Sequence, residues 1–463
     1  MRLSLPYLLV ALAAALAFPP PAAGGAGREE AEQALRKAAH FFHSEVSVRG
    51  GYVWRCSADL TLREGEGKAG NTRIWVQPPG TPTVGGAFLR AYQATGDRAY
   101  LQAALDAAYA LVEGQMRTGG WFYHIEFDPR KRQRQKTTLD DDTTQSAARF
   151  LMRVDRAVDF RDERIHKAVE FCLTALLRAQ YPNGGWYQNW DRYPSPPDPR
   201  EFPVIKASYP ETWSRRWLND WTGRYFINDN VASDMIDTMF LAYDIYAEER
   251  FRRSALRAGE FLLLAQMPDP QPAWAQQYDV QMHPAWDRKF EPPAITGAES
   301  QTVMESLLYL YRRTGDRRYL DSVGRALDYL KKSRLPDGRL ARFYELKTNR
   351  PLYFTRDYRL TYDSREMPTH YSFIVGSRLD EIEREYHRLK AGEAPTEDHE
   401  ARENLRNLAP RVRAIIAAMD ERGAWVEPGV LDAHNTRPTG GIISSRTFAQ
   451  NVEKLCAYIE ATR

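Results

Sequence analysis

Residues 95–121 read Thr-Gly-Asp-Arg-Ala-Tyr-Leu-Gln-Ala-Ala-Leu-Asp-Ala-Ala-Tyr-Ala-Leu-Val-Glu-Gly-Gln-Met-Arg-Thr-Gly-Gly-Trp. Both ends of this stretch recur. The opening returns as Thr-Gly-Asp-Arg-Arg-Tyr-Leu at 314–320. The closing word returns as Gly-Gly-Trp186 and, more loosely, as Gly-Gly-Tyr-Val-Trp54, Pro-Ala-Trp274 and Gly-Ala-Trp425, with Asp-Gly-Arg-Leu340 a degenerate copy. The intervals are 67, 65, 88, 66 and 85 residues. A unit of about 65 residues is longer than the common solenoid repeats and fits two helices plus a short strand-like turn.

Between the words, apolar residues recur at three and four. This spacing predicts helices over 99–114, 146–157, 165–178, 231–246, 254–266, 301–311 and 319–330. Asp97 and Asp316 are expected N-caps, each following a glycine that closes the helix before it. Helix pairs joined by Gly-x-Trp turns around an axis make a mainly α fold, an α/α toroid or helix-pair barrel. The first helix (29–46) and the last (443–462) are then neighbours that close the ring; an open helix-pair array is the alternative. The 88-residue interval carries an excess of about 23 residues. It lies in 190–226, rich in Trp and Pro, which reads as an inserted loop over a cleft or as a dimer contact.

Met1 to Gly27 reads as a signal peptide: Arg2 as the n-region, an apolar run from Leu3 to Phe18, and small-residue cleavage chemistry at Ala15-Leu16-Ala17. The expected protein is therefore secreted or periplasmic, with 28–463 as one catalytic domain. No later stretch approaches a membrane span. Three cysteines in 463 residues are too few for a disulfide scaffold, and a net charge of +3 is too small to argue for nucleic acid. A monomer is expected.

The polar clusters fall between each word and the next helix. They are Asp140-Asp141-Asp142 after Trp121, Asn228-Asp229-Asn230 after Trp186, the Arg288 loop after Trp274, and Arg342 to Arg350 after Leu340. Equivalent links of a repeat share one face, so these clusters are expected around a single mouth. Asp at a helix start is a good N-cap, but one cap needs one carboxylate. Three consecutive Asp residues repel one another unless a cation sits among them, and hard oxygen ligands suit Ca²⁺. In the loop 274–300, Pro284, Pro292 and Pro293 fix φ and remove donors, so it is ordered but irregular. It holds Asp287, Arg288, Lys289 and Glu291 between Trp286 and Phe290, either as a site or as a corner in which Arg288 pairs with Glu291 or Asp287.

These segments resemble the family 10 polysaccharide lyases, the pectate lyases. Trp-Ala-Gln-Gln-Tyr-Asp followed by Pro-Ala-Trp-Asp-Arg-Lys-Phe-Glu-Pro-Pro is similar to the family's Ala-Arg-x-Phe/Tyr-Glu-Pro segment. Thr-Leu-Asp-Asp-Asp-Thr-Thr-Gln, Gly-Gly-Trp-Tyr-Gln with Ile-Asn-Asp-Asn, and Arg-Phe-Tyr-Glu-x-x-Thr-Asn-Arg-Pro with Arg356-Asp357 resemble its other motifs, in order, from about 115 to 360. Tyr187 stands where the family has Pro, Asp141 where it has Asn, and 190–226 is long. The resemblance implies Ca²⁺-dependent β-elimination of polygalacturonate, an acidic polysaccharide. Asp140 and Asp229 would hold calcium with Asp141 as third ligand, and Arg288 would be the Brønsted base. Arg350 would grip a uronate carboxylate, with Arg342, Lys289, Arg356 and Trp186 completing the substrate contacts.

An arginine base has a pKa above about 12 unless desolvation and nearby cations favour the neutral form. Asp287 and Glu291 must then point elsewhere. Two rival functions remain. One is an inverting glycoside hydrolase using Asp140 and Asp229 with room for a water. The other is a non-catalytic toroid that binds polysaccharide through its tryptophans.

Overall fold

A computed structural model describes residues 27–131, 134–219, 221–393 and 405–463. Residues 1–26 of the expected signal peptide lie outside them. Twelve α-helices are described: α1 (Arg28–Phe41), α2 (Thr81–Thr95), α3 (Arg98–Glu113), α4 (Thr143–Ala157), α5 (Glu163–Ala179), α6 (Val231–Tyr246), α7 (Glu249–Ala265), α8 (Glu299–Thr314), α9 (Arg317–Lys332), α10 (Leu379–Lys390), α11 (Leu405–Ala417) and α12 (Ser445–Ala461). All seven helices expected from the spacing are present. Asp97 and Asp316 cap α3 and α9 through Ala99 N at 2.9 Å and Arg318 N at 3.0 Å.

The even-numbered helices form an inner ring. α12 packs on α2, and contacts then run α2–α4–α6–α8–α10. α1, α3, α5, α7, α9 and α11 pack outside it. The first and last helices are neighbours, with Phe42 stacked on Phe448 at 3.8 Å. Strands 55–57 and 442–444 pair antiparallel, Cys56 opposite Ile443, and tie the chain ends together. This is an α/α toroid. Among the described residues no helix is long and apolar enough to cross a membrane. The three cysteines are buried and free.

In four of its copies the repeated word has one structural job. Trp121, Trp186, Trp274 and Trp425 donate their indole N–H to the carbonyls of Leu111, Leu176, Leu262 and Ile415 at 2.9, 2.9, 2.8 and 2.8 Å. Each carbonyl lies in the last turn of an outer helix, where it has no intrahelical donor. The ring of each Trp fills the core while its N–H closes the helix end. The preceding glycine turns the chain: Gly119 and Gly184 sit at φ +100° and +96°. A Cβ at Gly184 would lie 1.9 Å from Arg257 O, so only glycine fits. Gln115, Gln180 and Gln266 then donate to Ala168, Ser254 and Ser322 carbonyls on the next outer helix at 2.8, 3.0 and 2.9 Å. That second repeated residue locks unit to unit.

Every link from a word to the next inner helix emerges at the N-terminal ends of the ring, and this end is the mouth. Beside it stands a second apolar cluster of Trp286, Phe343, Leu352, Tyr353, Phe354 and Phe373. It is backed by a sheet of strands 294–296, 343–345, 351–354 and 360–361. The insertion 190–226 closes over it. Trp217 Nε1 donates to Asp287 O at 2.9 Å, and Trp286 Nε1 donates to Ser214 O at 2.9 Å.

Candidate active site

The turns entering α4 and α6 are built alike. Asp141 and Asp142 have φ of +49° and +59°, and so do Asp229 and Asn230. Asp and Asn are the side chains that best tolerate this left-handed region, so the acidic residues serve the backbone as well as the mouth. None of them caps its helix through a side-chain oxygen. The capping expectation is therefore replaced. Asp140, Asp141 and Asp229 converge, each offering an oxygen within 4.8 Å of the others. Asp142 leaves the group and pairs with Arg149 at 2.5 Å.

The cluster is held from both sides. Asp140 accepts from the Tyr123 hydroxyl and from Gln188 Nε2 at 2.6 Å, and Asp141 accepts from Gln77 Nε2 at 2.7 Å. Burial and the neighbouring Asp140 push Asp141 up to about 6. The same two causes hold Asp229 well above the usual carboxylate range. Three carboxylates in this space lack enough positive charge, which is a donor set a hard divalent cation fits. Arg288 reaches it, with Nη2 at 3.7 Å from Asp229 Oδ2.

Arg288 takes the corner arrangement, paired with Glu291, and not that of a base clear of carboxylates. Glu291, 0% exposed, forks onto it: Oε2 takes Arg288 Nε at 2.7 Å and Oε1 takes Nη2 at 2.5 Å. Glu291 also accepts from Asn228 Nδ2 at 3.2 Å and the Tyr371 hydroxyl at 2.9 Å. Burial lowers the Arg288 pKa, but the Glu291 carboxylate outweighs it and leaves the group above its ordinary range. The expectation that Glu291 points elsewhere is corrected: a buried carboxylate needs a cation, and its neighbour three residues away is the one in reach. Asp287 is itself 8% exposed, and burial followed by Glu291 raises it to about 7.

The remaining expected substrate contacts divide. Arg342 lies at the mouth and shares a cleft of about 440 Å³ with Asp229, Glu299 and Arg378. It donates to Glu299 at 2.9 Å and to Ser372 O at 2.6 Å. Lys289 is turned over the Tyr358 ring at 3.6 Å, and Arg350 lies over Tyr362 at 3.4 Å. Arg356 is exposed beyond them. Trp186 contradicts its expected role. It is 0% exposed and belongs to the main core, because its indole N–H is consumed at the end of α5. It offers no face to a sugar.

Sequence reading missed Gln77, Tyr123, Gln188 and Tyr371, which orient the acidic cluster and Arg288. Gln188 alone carried a signal, two residues after Trp186. Below the mouth, the inner faces of α2 and α4 line a cavity of about 470 Å³ with Arg149 and Arg153. Asp234 on α6 is pushed up to about 8 by burial and by Asp142.

No family model matches the sequence, and no curated protein does. Solved structures similar to the chain include a family 10 polysaccharide lyase from Cellvibrio cellulosa, at 18% identity over 67% of this chain and 97% of that one, TM-score 0.47. Another is cellobiose 2-epimerase from Spirochaeta thermophila, at 14% identity over 94% and 96%, TM-score 0.49. A third is a GH76 α-mannanase from Bacteroides thetaiotaomicron, at 10% identity over 94% and 95%, TM-score 0.44. None of these three reaches a TM-score of 0.5, so none speaks to what this chain does.

Proposed function

We propose that this chain is an exported lyase that cleaves an acidic polysaccharide, polygalacturonate, by β-elimination. The observation that carries the reading is the convergence of Asp140, Asp141 and Asp229 within 4.8 Å beside Arg288. An inverting hydrolase needs its two carboxyl groups roughly 6.5–9.5 Å apart to admit a water. The acidic cluster is tighter than that, and it favours a bound cation over a water-spaced acid–base pair. Asp140, Asp141 and Asp229 are the ligands proposed for Ca²⁺.

Bound there, a hard cation supplies Lewis-acid stabilisation to the negative charge that develops on the uronate carboxylate. The chain's own residues do the rest. Arg342, lining the cleft next to Asp229, adds a fixed positive charge to the same carboxylate. Arg288 takes the C5 proton. The released electron pair forms the C4–C5 double bond as the C4–O bond breaks, and the departing sugar oxygen gains a proton from solvent. Glu291 keeps Arg288 charged, so proton abstraction requires that fork to open and the guanidinium to give up a proton to solvent first. Tyr371 and Asn228 remain to hold Glu291 when it does. Export fits a polymer substrate.

The test is a product assay on polygalacturonate with and without chelator. A lyase yields an unsaturated, ultraviolet-absorbing end group that chelation abolishes. Reducing ends without that absorbance would identify a hydrolase, and binding without either product would leave a polysaccharide-binding toroid.

A further inference from the structure

The mouth has a side that the motifs of 115–360 do not touch. Between the N-terminal ends of α2 and α12 lies a cleft of about 380 Å³, lined by Trp54, Pro78, Pro79, Glu427 and Arg446, among others. In ring order it flanks the acidic cluster on one hand, as the Arg342 cleft flanks it on the other. One residue separates it from the cluster. Trp54 Nε1 donates to Gln77 O at 2.8 Å, and the same Gln77 donates its amide to Asp141 at 2.7 Å.

The chemistry of this cleft is that of a charged sugar ring. Trp54 is half-buried, its N–H fixed and its ring braced edge-on by Trp75 at 6.2 Å, which leaves an indole surface at no further entropic cost. Prolines 78 and 79 make a rigid apolar wall. Arg446, in the first turn of α12, is exposed and has no hydrogen-bond or ion-pair partner among the described residues. Arg55, also in the lining, is by contrast spent on Glu64 and Asp432 at 2.8 and 2.6 Å. Glu427 is held by the Thr447 hydroxyl at 3.1 and 3.0 Å, and its remaining lone pairs suit sugar hydroxyls. A planar guanidinium beside an indole face pairs a carboxylate bidentately while the ring stacks.

We propose that Trp54 and Arg446 form a uronate subsite on the α2–α12 side of the mouth. It takes another ring of the polysaccharide whose scissile bond lies over Asp140, Asp141 and Asp229. The identity of the sugar rests on the lyase reading. The substrate chain then runs across the mouth, from the Trp54 cleft over the acidic cluster to the Arg342 cleft.

Arg446→Gln removes the charge from an exposed position without touching the acidic cluster. Binding of hexagalacturonate and digalacturonate to the full chain is measured calorimetrically, alongside an uncharged galacto-oligosaccharide of six rings. The variant is expected to weaken hexagalacturonate about tenfold and to leave the dimer and the uncharged hexamer unchanged. Arg446→Lys is expected to recover part of the loss. In turnover, KM for the hexamer rises about as much while kcat holds. Identical binding and KM for wild type and Arg446→Gln, with pectate still cleaved, would overturn the subsite and spare the lyase. Arg446-dependent binding without any cleavage would keep the subsite and remove the lyase. No uronate binding by the wild type would remove both.

Discussion

On the proposed reading, a divalent cation held by Asp140, Asp141 and Asp229 competes with protons at Asp141 and Asp229, and the site is then expected to be pH-dependent in a direction that can be worked out. Asp141 is raised to about 6, and Asp229 is raised as well, both chiefly by burial with Asp140 close by. A carboxylate whose folded pKa lies above its unfolded value binds more protons folded than unfolded. The metal-free protein is therefore stabilised by protonation below that pKa, and the contribution is lost as pH rises through it. A cation relieves the same repulsion at high pH, and protons displace it as pH falls. At pH 8, two units above its raised value, Asp141 is ionised. At pH 5, one unit below Asp141, about nine-tenths of that group is protonated, so calcium affinity falls about tenfold, and Asp229 adds to the loss. With calcium at 100 times its pH 8 dissociation constant, binding contributes about 2.7 kcal/mol. A chain of 463 residues unfolds with roughly 1 kcal/mol per kelvin of entropy, so Tm rises by about 3 °C. At pH 5 the same calcium contributes about 1.4 kcal/mol and a rise of about 1.5 °C or less. Thermal melts over a calcium titration at pH 5, 6, 7 and 8 measure this. A Tm shift independent of pH, or one kept by Asp141→Asn and Asp229→Asn, would refute the reasoning. So would the absence of any calcium shift at pH 8.

Glu291→Gln keeps the shape of the buried partner of Arg288 but not its charge. Because the Arg288 side chain is 40% exposed and Asp229 stays within 3.7 Å, the cost should sit below the 3–5 kcal/mol of a fully buried pair, at about 1–3 kcal/mol, read as a Tm loss of a few degrees in melts. Arg288→Lys and Arg288→Ala should each lower kcat by orders of magnitude with KM little changed; a variant of either kind keeping a tenth of wild-type turnover would assign the base elsewhere. Trp186→Ala should cost about 3–5 kcal/mol through a core cavity, with KM for the surviving folded enzyme unmoved; a selective rise in KM would restore the sugar-platform role. Trp217→Phe deletes one hydrogen bond to the Asp287 carbonyl and should lower stability by about 1 kcal/mol, while a loss confined to long substrates would show that the insertion reaches the polymer directly.

The toroid was legible in the chain because its repeat answers a local need that recurs in most units. A helix end leaves carbonyls unpaired, so Trp121, Trp186, Trp274 and Trp425 return to serve them, each behind a turn that glycine makes possible in most copies. The acidic cluster was legible for a related reason. Asp141 and Asp229 occupy left-handed positions that a short list of residues tolerates, and equivalent links of a repeat emerge on one face. The direction of each side chain was not legible, because it depends on neighbours distant in sequence. Whether Trp186 faces sugar or core turned on the free carbonyl of Leu176. The orientation of Arg288 turned on Glu291, which Asn228 and Tyr371 fix from 63 and 80 residues away. Trp54 and Arg446 lie near opposite ends of the chain, and Arg446 belongs to no repeated word. Only the pairing of strand 55–57 with 442–444 brings them to one cleft. Local backbone chemistry wrote the repeat and its acidic turns into the sequence, and closure of the ring decided which charges meet at its mouth.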